Sequence, residues 1–196
     1  MDVSRETYSQ LQEFSDLVMK WTTKINLISP STIPDIWNRH IEDSMQVYKI
    51  APPDGRWIDL GTGGGFPGVV TAIMSANDCR QHSFTFVESD KRKAAFLRTT
   101  IGAFKLNATV KAERIDGLAP LGADILSARA LAPLPVLLSY AALHMKADGV
   151  AFLFKGRQWE EEHAAAQREW SYDCDAIPSK TDPNAVVLKI KDITRV

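Results

Sequence analysis

One stretch, Trp57 to Gly68, constrains the fold of this chain most, and it reads WIDLGTGGGFPG. Its apolar start is typical of a buried strand, and the glycines that follow let the backbone turn sharply and approach a ligand without Cβ clashes. Pro67 suits the first turn of a helix, which we expect to continue through the apolar residues between Val69 and Met74. A strand, a glycine loop and a helix in this order predict a nucleotide-type binding unit.

Two registers of the loop predict different ligands. Gly63-x-Gly65-x-x-Gly68 satisfies the dinucleotide pattern, which is weak alone because many chains have it for tight packing. Asp59-x-Gly61-x-Gly63-x-Gly65 resembles motif I of the S-adenosylmethionine-dependent methyltransferases. A pyrophosphate favours bare N–H groups at a helix N-terminus, whereas the ammonium and sulfonium of S-adenosylmethionine suit the Asp59 carboxylate. We therefore expect S-adenosylmethionine as the cofactor, with a structural turn that binds no ligand as the alternative.

Composition places the chain in an ordinary globular class. It has 196 residues, of which 45% are hydrophobic and 24% charged, and this predicts one domain with a substantial core. The formal net charge is −1, so any nucleic acid would be bound by local basic patches. Cys79 and Cys174 lie far apart, which fits a reducing compartment and disfavours structural zinc. Without a long apolar run or a signal pattern, we expect a cytoplasmic protein with no membrane span and no metal.

The pattern of apolar residues predicts an N-terminal helical extension, residues 1–55, followed by an α/β core, residues 56–196. Apolar side chains recur at three-to-four spacing from Tyr8 to Trp21 and again from Ile36 to Tyr48, which predicts two amphipathic helices. Thr32 is the expected N-cap of the second helix.

In the core, short apolar strands alternate with helical stretches, which predicts a mostly parallel, doubly wound sheet of seven strands. After the strand that ends at Leu60, the expected strands are Ser83–Glu88, Ala108–Ala112, Asp124–Ala128, Val150–Phe154, Ser171–Ile177 and Ala185–Ile190. Ser89 is expected to cap the helix after the second strand, and a charged helix is expected from Gln158 to Trp170.

Ligands of such a sheet bind beyond the carboxyl ends of its strands, so polar residues there are candidates for the site. Glu88 ends the second strand, where it can accept hydrogen bonds from both hydroxyls of a ribose or pair with a nearby cation. Ile115 and Asp116 follow the third strand, where an apolar face and an acceptor can hold an adenine, although an ordinary polar loop fits equally. Arg129 lies among apolar residues, so it needs a carboxylate or phosphate partner, in an ion pair or in the site itself.

Several motifs together resemble those of the bacterial 16S ribosomal RNA guanine-N7 methyltransferase family, also called glucose-inhibited division protein B. In chain order they are KINLIS at 24–29, NRHIEDS at 38–44, GTGGGFPG at 61–68, SARAL at 127–131 and FKG at 154–156. The likeness covers nearly the whole chain. The family often has Asn-Leu-Thr where this chain has Asn26-Leu27-Ile28, and the C-terminal segment is only loosely similar.

The resemblance implies a class I methyltransferase fold, Rossmann-like with an N-terminal helical extension. It also implies transfer of the methyl group of S-adenosylmethionine to N7 of one guanine near the decoding site of the small subunit. The cofactor-binding candidates are Asp59, Gly61, Thr62, Gly63, Gly65, Phe66, Glu88, Ile115, Asp116 and Arg129. Candidates to face the guanine are Asn26, Arg39, His40, Asp43, Ser44 and Arg129, and candidates to contact RNA are Lys24, Arg39, Lys155 and Arg157.

Attack by a ring nitrogen with a free lone pair removes no proton, so positioning supplies most of the rate and no base is required. His40 is therefore expected to be a packed or capping residue more than a catalyst. We expect a monomer that acts on 16S rRNA within a small-subunit particle. The alternatives are a small-molecule or protein methyltransferase, a nicotinamide-dependent oxidoreductase that uses the dinucleotide register, and an RNA-binding module without activity.

Overall fold

The fold was analysed in a computed structural model, which describes residues 3–196. Its α-helices are α1 (Arg5–Thr22), α2 (Asp43–Ile50), α3 (Gly68–Ala76), α4 (Lys91–Phe104), α5 (Leu134–His144) and α6 (Trp159–Ala166). Its strands are β1 (Asp54–Leu60), β2 (Gln81–Val87), β3 (Ala108–Lys111), β4 (Ala123–Arg129), β5 (Met145–Lys155), β6 (Trp170–Pro178) and β7 (Val186–Arg195). Short 3₁₀ helices cover Pro30–Asp35 and Ile115–Gly117, and a π-helical segment covers Trp37–Glu42.

The seven strands form one sheet in the order β3-β2-β1-β4-β5-β7-β6. β1 is parallel to β2 and to β4, and the β2–β3 and β4–β5 pairs are also parallel. β7 is antiparallel to both of its neighbours. The mostly parallel seven-stranded sheet that the sequence predicts is confirmed. Strand order reverses between β1 and β4, so their carboxyl ends border the crevice in which doubly wound folds bind ligands.

Helices cover both faces of the sheet. On one face, α3 and α4 pack together with α1 and α2 in a single apolar cluster that includes Phe14, Trp57 and Phe96, all fully buried. On the other face, α5 and α6 lie over a second cluster that includes Leu60 and Leu126. Burying an aromatic side chain such as Phe14 stabilises the fold by about 2–3 kcal/mol. The N-terminal helices therefore share the main core, while the division at residue 55 stays a prediction.

The first helix follows the sequence pattern closely. Its N-cap is Ser4, whose hydroxyl accepts a hydrogen bond from the Thr7 N–H. Leu11, Phe14 and Val18 form its buried stripe, at the spacing that places side chains on one helical face. None of the helices in residues 3–196 has the length and apolar character needed to cross a membrane.

Two predicted helix caps were wrong. Thr32 lies inside the first 3₁₀ helix, where its hydroxyl donates to the Ser29 carbonyl, and the following helix begins as the π-helical segment and becomes regular only at Asp43. Pro34 disfavours the α-helical conformation of the preceding residue, Ile33, so a regular α-helix starting at Thr32 is disfavoured. The cap of α4 is Asp90, one residue after Ser89, because its carboxylate accepts from the N–H groups of two residues in the first turn. A carboxylate also stabilises a helix N-terminus better than a hydroxyl does.

Candidate active site

The glycine loop joins β1 to α3 through an unusual backbone path. Gly61, Gly63 and Gly65 have positive φ angles of 65°, 53° and 96°. Residues with a Cβ rarely adopt such angles, so glycine is needed at these positions. The Thr62 hydroxyl donates to the Asp59 carbonyl at 2.9 Å, and the Gly65 N–H donates to the Thr62 carbonyl at 2.8 Å. The loop is therefore fixed by its own hydrogen bonds, in the sharp turn that the sequence predicts.

The N-terminal extension packs directly against this loop. A Cβ placed on Gly64 would lie 2.9 Å from the Leu27 carbonyl oxygen, and one on Gly65 would lie 2.8 Å from the Phe14 ring. Both distances are shorter than a Cβ contact permits. The glycines at these two positions therefore also make room for the extension.

Asp59 lies beneath the loop and is fully buried. Its Oδ1 accepts from the Ser127 hydroxyl at 2.6 Å, and its Oδ2 accepts from the Gly68 N–H at 3.3 Å. Burial raises the pKa of Asp59 to about 7, because a charged carboxylate loses its hydration there. The side chain joins β1 to β4 and to the start of α3, and it lines neither of the cavities described below. Its contact with the cofactor ammonium stays a prediction.

A cavity of about 310 Å³ opens beside the loop at the carboxyl ends of β1, β2 and β4. Its lining includes five of the predicted cofactor residues, namely Gly61, Gly63, Glu88, Ile115 and Asp116, together with Leu131 and Tyr140. A volume of this size is at the lower end of the range for small-molecule sites, and the lining has several charged side chains beside its apolar ones. The structure therefore brings together the glycine loop and the ends of the next two strands around one space.

Glu88 is buried at the side of this cavity, and its oxygens are oriented by the backbone. One carboxylate oxygen accepts from the Gly63 N–H at 2.9 Å and the other from the Asp90 N–H at 2.8 Å. Each oxygen can accept a second hydrogen bond, so both remain able to receive a ribose hydroxyl. In the described part of the chain no salt bridge joins Glu88 to Lys91 or Arg92. The residues present thus fit the ribose of an adenosine cofactor.

The 3₁₀ helix after β3 forms the opposite wall. Ile115 is buried, and its carbonyl accepts from Nε2 of His144, a fully buried residue at the end of α5, at 3.1 Å. Asp116 is exposed and pairs with Arg114 at 3.2 Å, and hydrogen bonding to that guanidinium lowers the pKa of Asp116. Sequence reasoning missed His144, because a histidine at a helix end has no local signal that connects it to a turn on another strand.

A second cavity of about 290 Å³ adjoins the first, and both are lined by Ala130 just after β4. Its lining includes the predicted residues Arg39, Asp43, Arg129 and Lys155, with Phe154, Glu162 and Asp182. These residues come from the extension, from the ends of β4 and β5, from α6 and from the loop between β6 and β7. Positions far apart in the sequence therefore converge on one space beside the first cavity.

Arg129 is the central cation of the second cavity, and only 18% of its side chain is exposed. Nη2 donates to the Arg39 carbonyl and lies 3.6 Å from Oδ2 of Asp43. The guanidinium also lies over the Phe154 ring, 5.4 Å from its centre. Nη1 is buried and has no hydrogen-bond partner among the residues described. A buried donor without a partner is costly, which makes this atom a candidate to bind a ligand.

Asp43 connects the extension to the loop between β6 and β7. Its Oδ1 accepts from the hydroxyls of Ser179 at 2.7 Å and Thr181 at 3.2 Å. Next to it, Arg39 pairs with Asp182 of the same loop at 2.6 Å. The charged groups around the second cavity are therefore mostly occupied by each other.

His40 lies outside both cavities. Its Nε2 is 2.9 Å from the Thr32 hydroxyl, and its ring lies 4.8 Å from the ring of Phe66. Burial, with a smaller effect of Arg129 and Arg39, lowers the pKa of His40 to about 3. The imidazole is therefore neutral at neutral pH, in the packed role that the sequence favours. Phe66 is buried between His40 and Phe14 and also lines neither cavity.

The four candidates for RNA contact differ in their availability. Lys155 has only 8% of its side chain exposed, pairs with Glu162 at 2.5 Å and donates to the Ala132 carbonyl, and Arg39 is paired as described. Lys24 and Arg157 are exposed, as is Asn26 in the bend after α1, and these three residues line neither cavity. In the described part of the chain, Lys24 and Arg157 are thus exposed without a carboxylate partner, whereas Arg39 and Lys155 are each paired with one.

Proteins with the same overall fold include several methyltransferases. A TehB-like SAM-dependent methyltransferase from Corynebacterium glutamicum superposes with a TM-score of 0.61 at 13% identity, covering 94% of this chain and 99% of that chain. TYW2 from M. jannaschii in complex with AdoMet gives a TM-score of 0.62 at 16% identity, covering 89% of this chain and 80% of that chain. At such low identity these likenesses concern the fold, and they confirm the class I, Rossmann-like methyltransferase architecture.

Sequence comparison identifies the family. The family model described as GidB, rRNA small subunit methyltransferase G, matches residues 7–184. The ribosomal RNA small subunit methyltransferase G of Ruegeria pomeroyi is 48% identical over 196 residues, covering 100% of this chain and 96% of its own length. The protein of the same name from Gluconobacter oxydans is 44% identical, covering 99% of this chain and 98% of its own length. This confirms a methyltransferase over the nicotinamide-dependent alternative: the chain belongs to the GidB family of rRNA small subunit methyltransferases.

Proposed function

We propose that this protein transfers the methyl group of S-adenosylmethionine to N7 of one guanine of 16S rRNA, near the decoding site. The observation that supports this most is the pair of adjoining cavities at the ends of β1 and β4. The first presents the Glu88 carboxylate, oriented to accept ribose hydroxyls, and the second presents a buried guanidinium N–H without a partner. The relatives named as acting on small-subunit rRNA support the class of substrate.

The second cavity suits a guanine. On the edge that includes N7, guanine presents two acceptors, N7 and O6. The free Nη1–H of Arg129 can donate to O6, which leaves the lone pair of N7 available for attack. The Phe154 ring supplies an aromatic wall, as in many sites that hold an unstacked base. In this assignment Arg129 binds substrate, and Glu88 and Ile115 bind cofactor.

The chemistry asks for positioning and charge stabilisation. S-adenosylmethionine supplies an electrophilic methyl group when bound. N7 loses no proton on attack, so the neutral His40 and the buried Asp59 need not act as bases. The guanine ring becomes positively charged, and the carboxylates of Asp43 and Asp182, which line the same cavity, offset that charge.

We further propose that the protein acts as a monomer in the cytoplasm, on an assembled small-subunit particle. The net charge of −1 supports this substrate, because a chain without overall positive charge has little attraction for naked RNA. Contacts with ribosomal proteins would then supply part of the affinity. Binding to particles should accordingly be less sensitive to salt than binding to free 16S rRNA, and a steep, identical salt dependence for the two would contradict the proposal.

The test is transfer of labelled methyl from S-adenosylmethionine to small ribosomal subunits from cells that lack the endogenous enzyme, followed by nuclease digestion to map the product. One N7-methylguanine near the decoding site is expected. As a matched variant, Arg129→Gln should reduce transfer strongly while calorimetry shows cofactor affinity within a few-fold of the wild type. Transfer to another atom, or no transfer by a protein that binds the cofactor, would overturn the proposal.

A further inference from the structure

We propose that the exposed face of α4 is the surface on which the rRNA backbone binds beside the active site. This α4 face consists of Lys91, Arg92, Ala95, Arg98 and Thr99. The inference rests on the proposed function, since it takes rRNA as the partner. The proposed phosphate contacts are made by Lys91, Arg92 and Arg98. They differ from the sequence candidates Lys155 and Arg39, which form ion pairs within the protein.

Basic residues are concentrated around α4. Between Ser89 and Arg114 the chain has seven lysines and arginines against two acidic residues, although the whole chain has 23 basic and 24 acidic residues. The helix itself reads KRKAAFLRTTIGAF and contains no acidic residue. A local excess of positive charge in a chain with slight negative charge is the electrostatic signature of polyanion binding.

The cations of the α4 face are available to a ligand. Lys91, Arg92 and Arg98 are all exposed. In residues 3–196, neither Lys91 nor Arg98 forms a salt bridge. Arg92 lies 3.6 Å from Asp90, but 74% of its side chain is exposed, and such a pair contributes little to stability. All three can therefore contact phosphate without breaking a buried interaction.

Folding alone does not explain three cations at the start of this helix. Lys91, Arg92 and Lys93 occupy its first turn, where the helix dipole presents partial positive charge. Each cation there costs about 0.3–1 kcal/mol at low ionic strength, and the Asp90 cap offsets only part of that cost. Local choices that oppose stability occur mostly at functional sites. A bound phosphate would remove this repulsion.

The shape and position of the α4 face also fit an RNA strand. Between and beyond the cations lie small exposed residues, Ala95, Thr99 and Gly102, and a Cβ on Gly102 would have no neighbour within 4 Å. Lys91 and Arg98 are two helical turns apart, about 10 Å along the axis. Lys93 lines the first cavity, which adjoins the cavity proposed for the guanine, so the face begins next to the active site.

The side of the two adjoining cavities that lies away from α4, which we call the α6 side, is unsuited to bind phosphate. There α6 begins with Glu160, Glu161 and Glu162, and the last of these also neutralises Lys155. Arg39 is neutralised by Asp182. An RNA backbone on this side would meet these carboxylates, the paired Lys155 and Arg39 and the exposed Arg157, whereas on the α4 side it meets three exposed cations on a helix without acidic residues. The charge distribution therefore favours approach across α4.

The test compares two double variants that each remove two exposed positive charges. Lys91→Ala with Arg98→Ala alters the α4 face, and Lys49→Ala with Arg168→Ala alters exposed positions far from it, near the amino end of β1 and the amino end of β6. For the first variant we expect a KM for small subunits about tenfold higher, with kcat and cofactor affinity unchanged. The slope of log K against log salt should fall by about 1.4–1.8, as expected for two lost phosphate contacts. The second variant should behave as the wild type.

Thermal unfolding separates binding from folding. Because Lys91 opposes the helix dipole, Lys91→Ala should leave the midpoint equal or slightly higher while it weakens subunit binding. An unchanged KM and salt slope in the first double variant, with normal methylation by the wild type, would overturn the α4 surface and leave the proposed function standing. Equal losses in both double variants would also overturn it. If the wild type methylates no rRNA, the proposed function fails, and this inference fails with it.

Discussion

The basic residues on the two sides of the adjoining cavities, the α4 side and the α6 side, differ in whether they have carboxylate partners. On the α4 side, Lys91 and Arg98 are exposed and form no salt bridge within the part of the chain that the structure describes. On the α6 side, Lys155 and Arg39 each have a carboxylate partner, and Arg129 lies against Asp43. Cations on the first side are available for a partner molecule, whereas on the second side Arg39 joins the extension to the last hairpin, Lys155 joins β5 to α6, and Arg157 is exposed. Residue type alone does not distinguish the two uses.

Sequence separation accounts for the difference. The cations of α4 lie on one short helix that has no acid of its own. Two contacts on the α6 side join residues remote in sequence, since Arg39 meets Asp182 and Asp43 meets Ser179, whereas Lys155 and Glu162 are seven residues apart. A charge that is neutralised by a distant partner stabilises the tertiary structure. Removing it should therefore lower the unfolding free energy more than it weakens substrate binding.

Replacing Asp43 is expected to cause the largest loss of unfolding free energy and so to test this comparison most directly. Asp43→Asn leaves Arg129 buried without a counter-ion, and losing one member of a buried pair typically costs about 3–5 kcal/mol. Because the pair is at 3.6 Å, we expect about 3 kcal/mol less unfolding free energy in urea titrations. Arg92→Gln on the α4 side is the matched control and should change stability by less than about 0.5 kcal/mol. A loss below about 1 kcal/mol for Asp43→Asn would mean that the α6 side is not held by its charges.

Asp59 lies on the central strand between the two sides and is buried, with no cation partner among the described residues. Its contribution to the free energy of unfolding should therefore depend on pH. Its pKa is about 7 in the fold and near 3.8 when unfolded, so between these values the folded chain holds a proton that the unfolded chain has released. The stability of the wild type relative to Asp59→Asn should therefore fall as pH rises from 5 to 7. The change is at most about 1.4 kcal/mol per pH unit, measurable by urea unfolding at both pH values. A difference that is independent of pH would contradict the raised pKa.

Substituting Glu88 tests the first cavity, which borders α4, and leaves the three exposed cations of α4 unchanged. Glu88→Gln places an amide where a ribose needs an acceptor and weakens the bond from the Gly63 N–H. We expect the Kd for S-adenosylmethionine to rise about tenfold, or about 1.4 kcal/mol, by calorimetry. Glu113→Gln, at an exposed position of the same cavity, should change it less than twofold. Equal effects of the two substitutions would show that Glu88 acts only through its charge.

The smallest effect is expected at the outer pair of the α6 side. The side chains of Arg39 and Asp182 are 39% and 22% exposed, so water screens their interaction. Asp182→Asn should lower the unfolding free energy by less than about 1 kcal/mol, well below the loss for Asp43→Asn. If Asp43→Asn and Asp182→Asn lower the unfolding free energy equally, the contribution of these ion pairs does not increase with burial, and the difference between them would need another explanation.

Local features of the fold were predictable from sequence. The glycine loop, the strand that precedes it and the buried stripe of α1 each depend on neighbouring residues, and the structure has all three. Glu88 was predicted to end the second strand, and it directly follows β2, with its carboxylate against the Gly63 N–H; its contact with a ribose stays a prediction. The sheet class follows from the same alternation.

Features that depend on remote contacts were not predictable. The sequence of Lys155-Gly156-Arg157 is equally consistent with a phosphate site, and only the fold brings Glu162 against Lys155. Thr32 resembles an N-cap, but the extension there follows a 3₁₀ and then a π-helical path. His144 supports the Ile115 carbonyl across the sheet edge, a contact with no local signature. For Lys155 and Ile115 the deciding partner is a residue that periodicity cannot locate, whereas for Thr32 the deciding residue is the nearby Pro34.

The close fit between extension and glycine loop has a consequence for how this enzyme can be altered. Gly64 faces the Leu27 carbonyl and Gly65 faces the Phe14 ring, so neither position can gain a side chain while the first helix and the segment that follows it stay where they are. The extension is thus not an exchangeable module. A chimera that joins these N-terminal helices to another methyltransferase core will assemble only if that core also keeps its cofactor loop bare on the side facing α1, and a drift in either partner must be matched by the other.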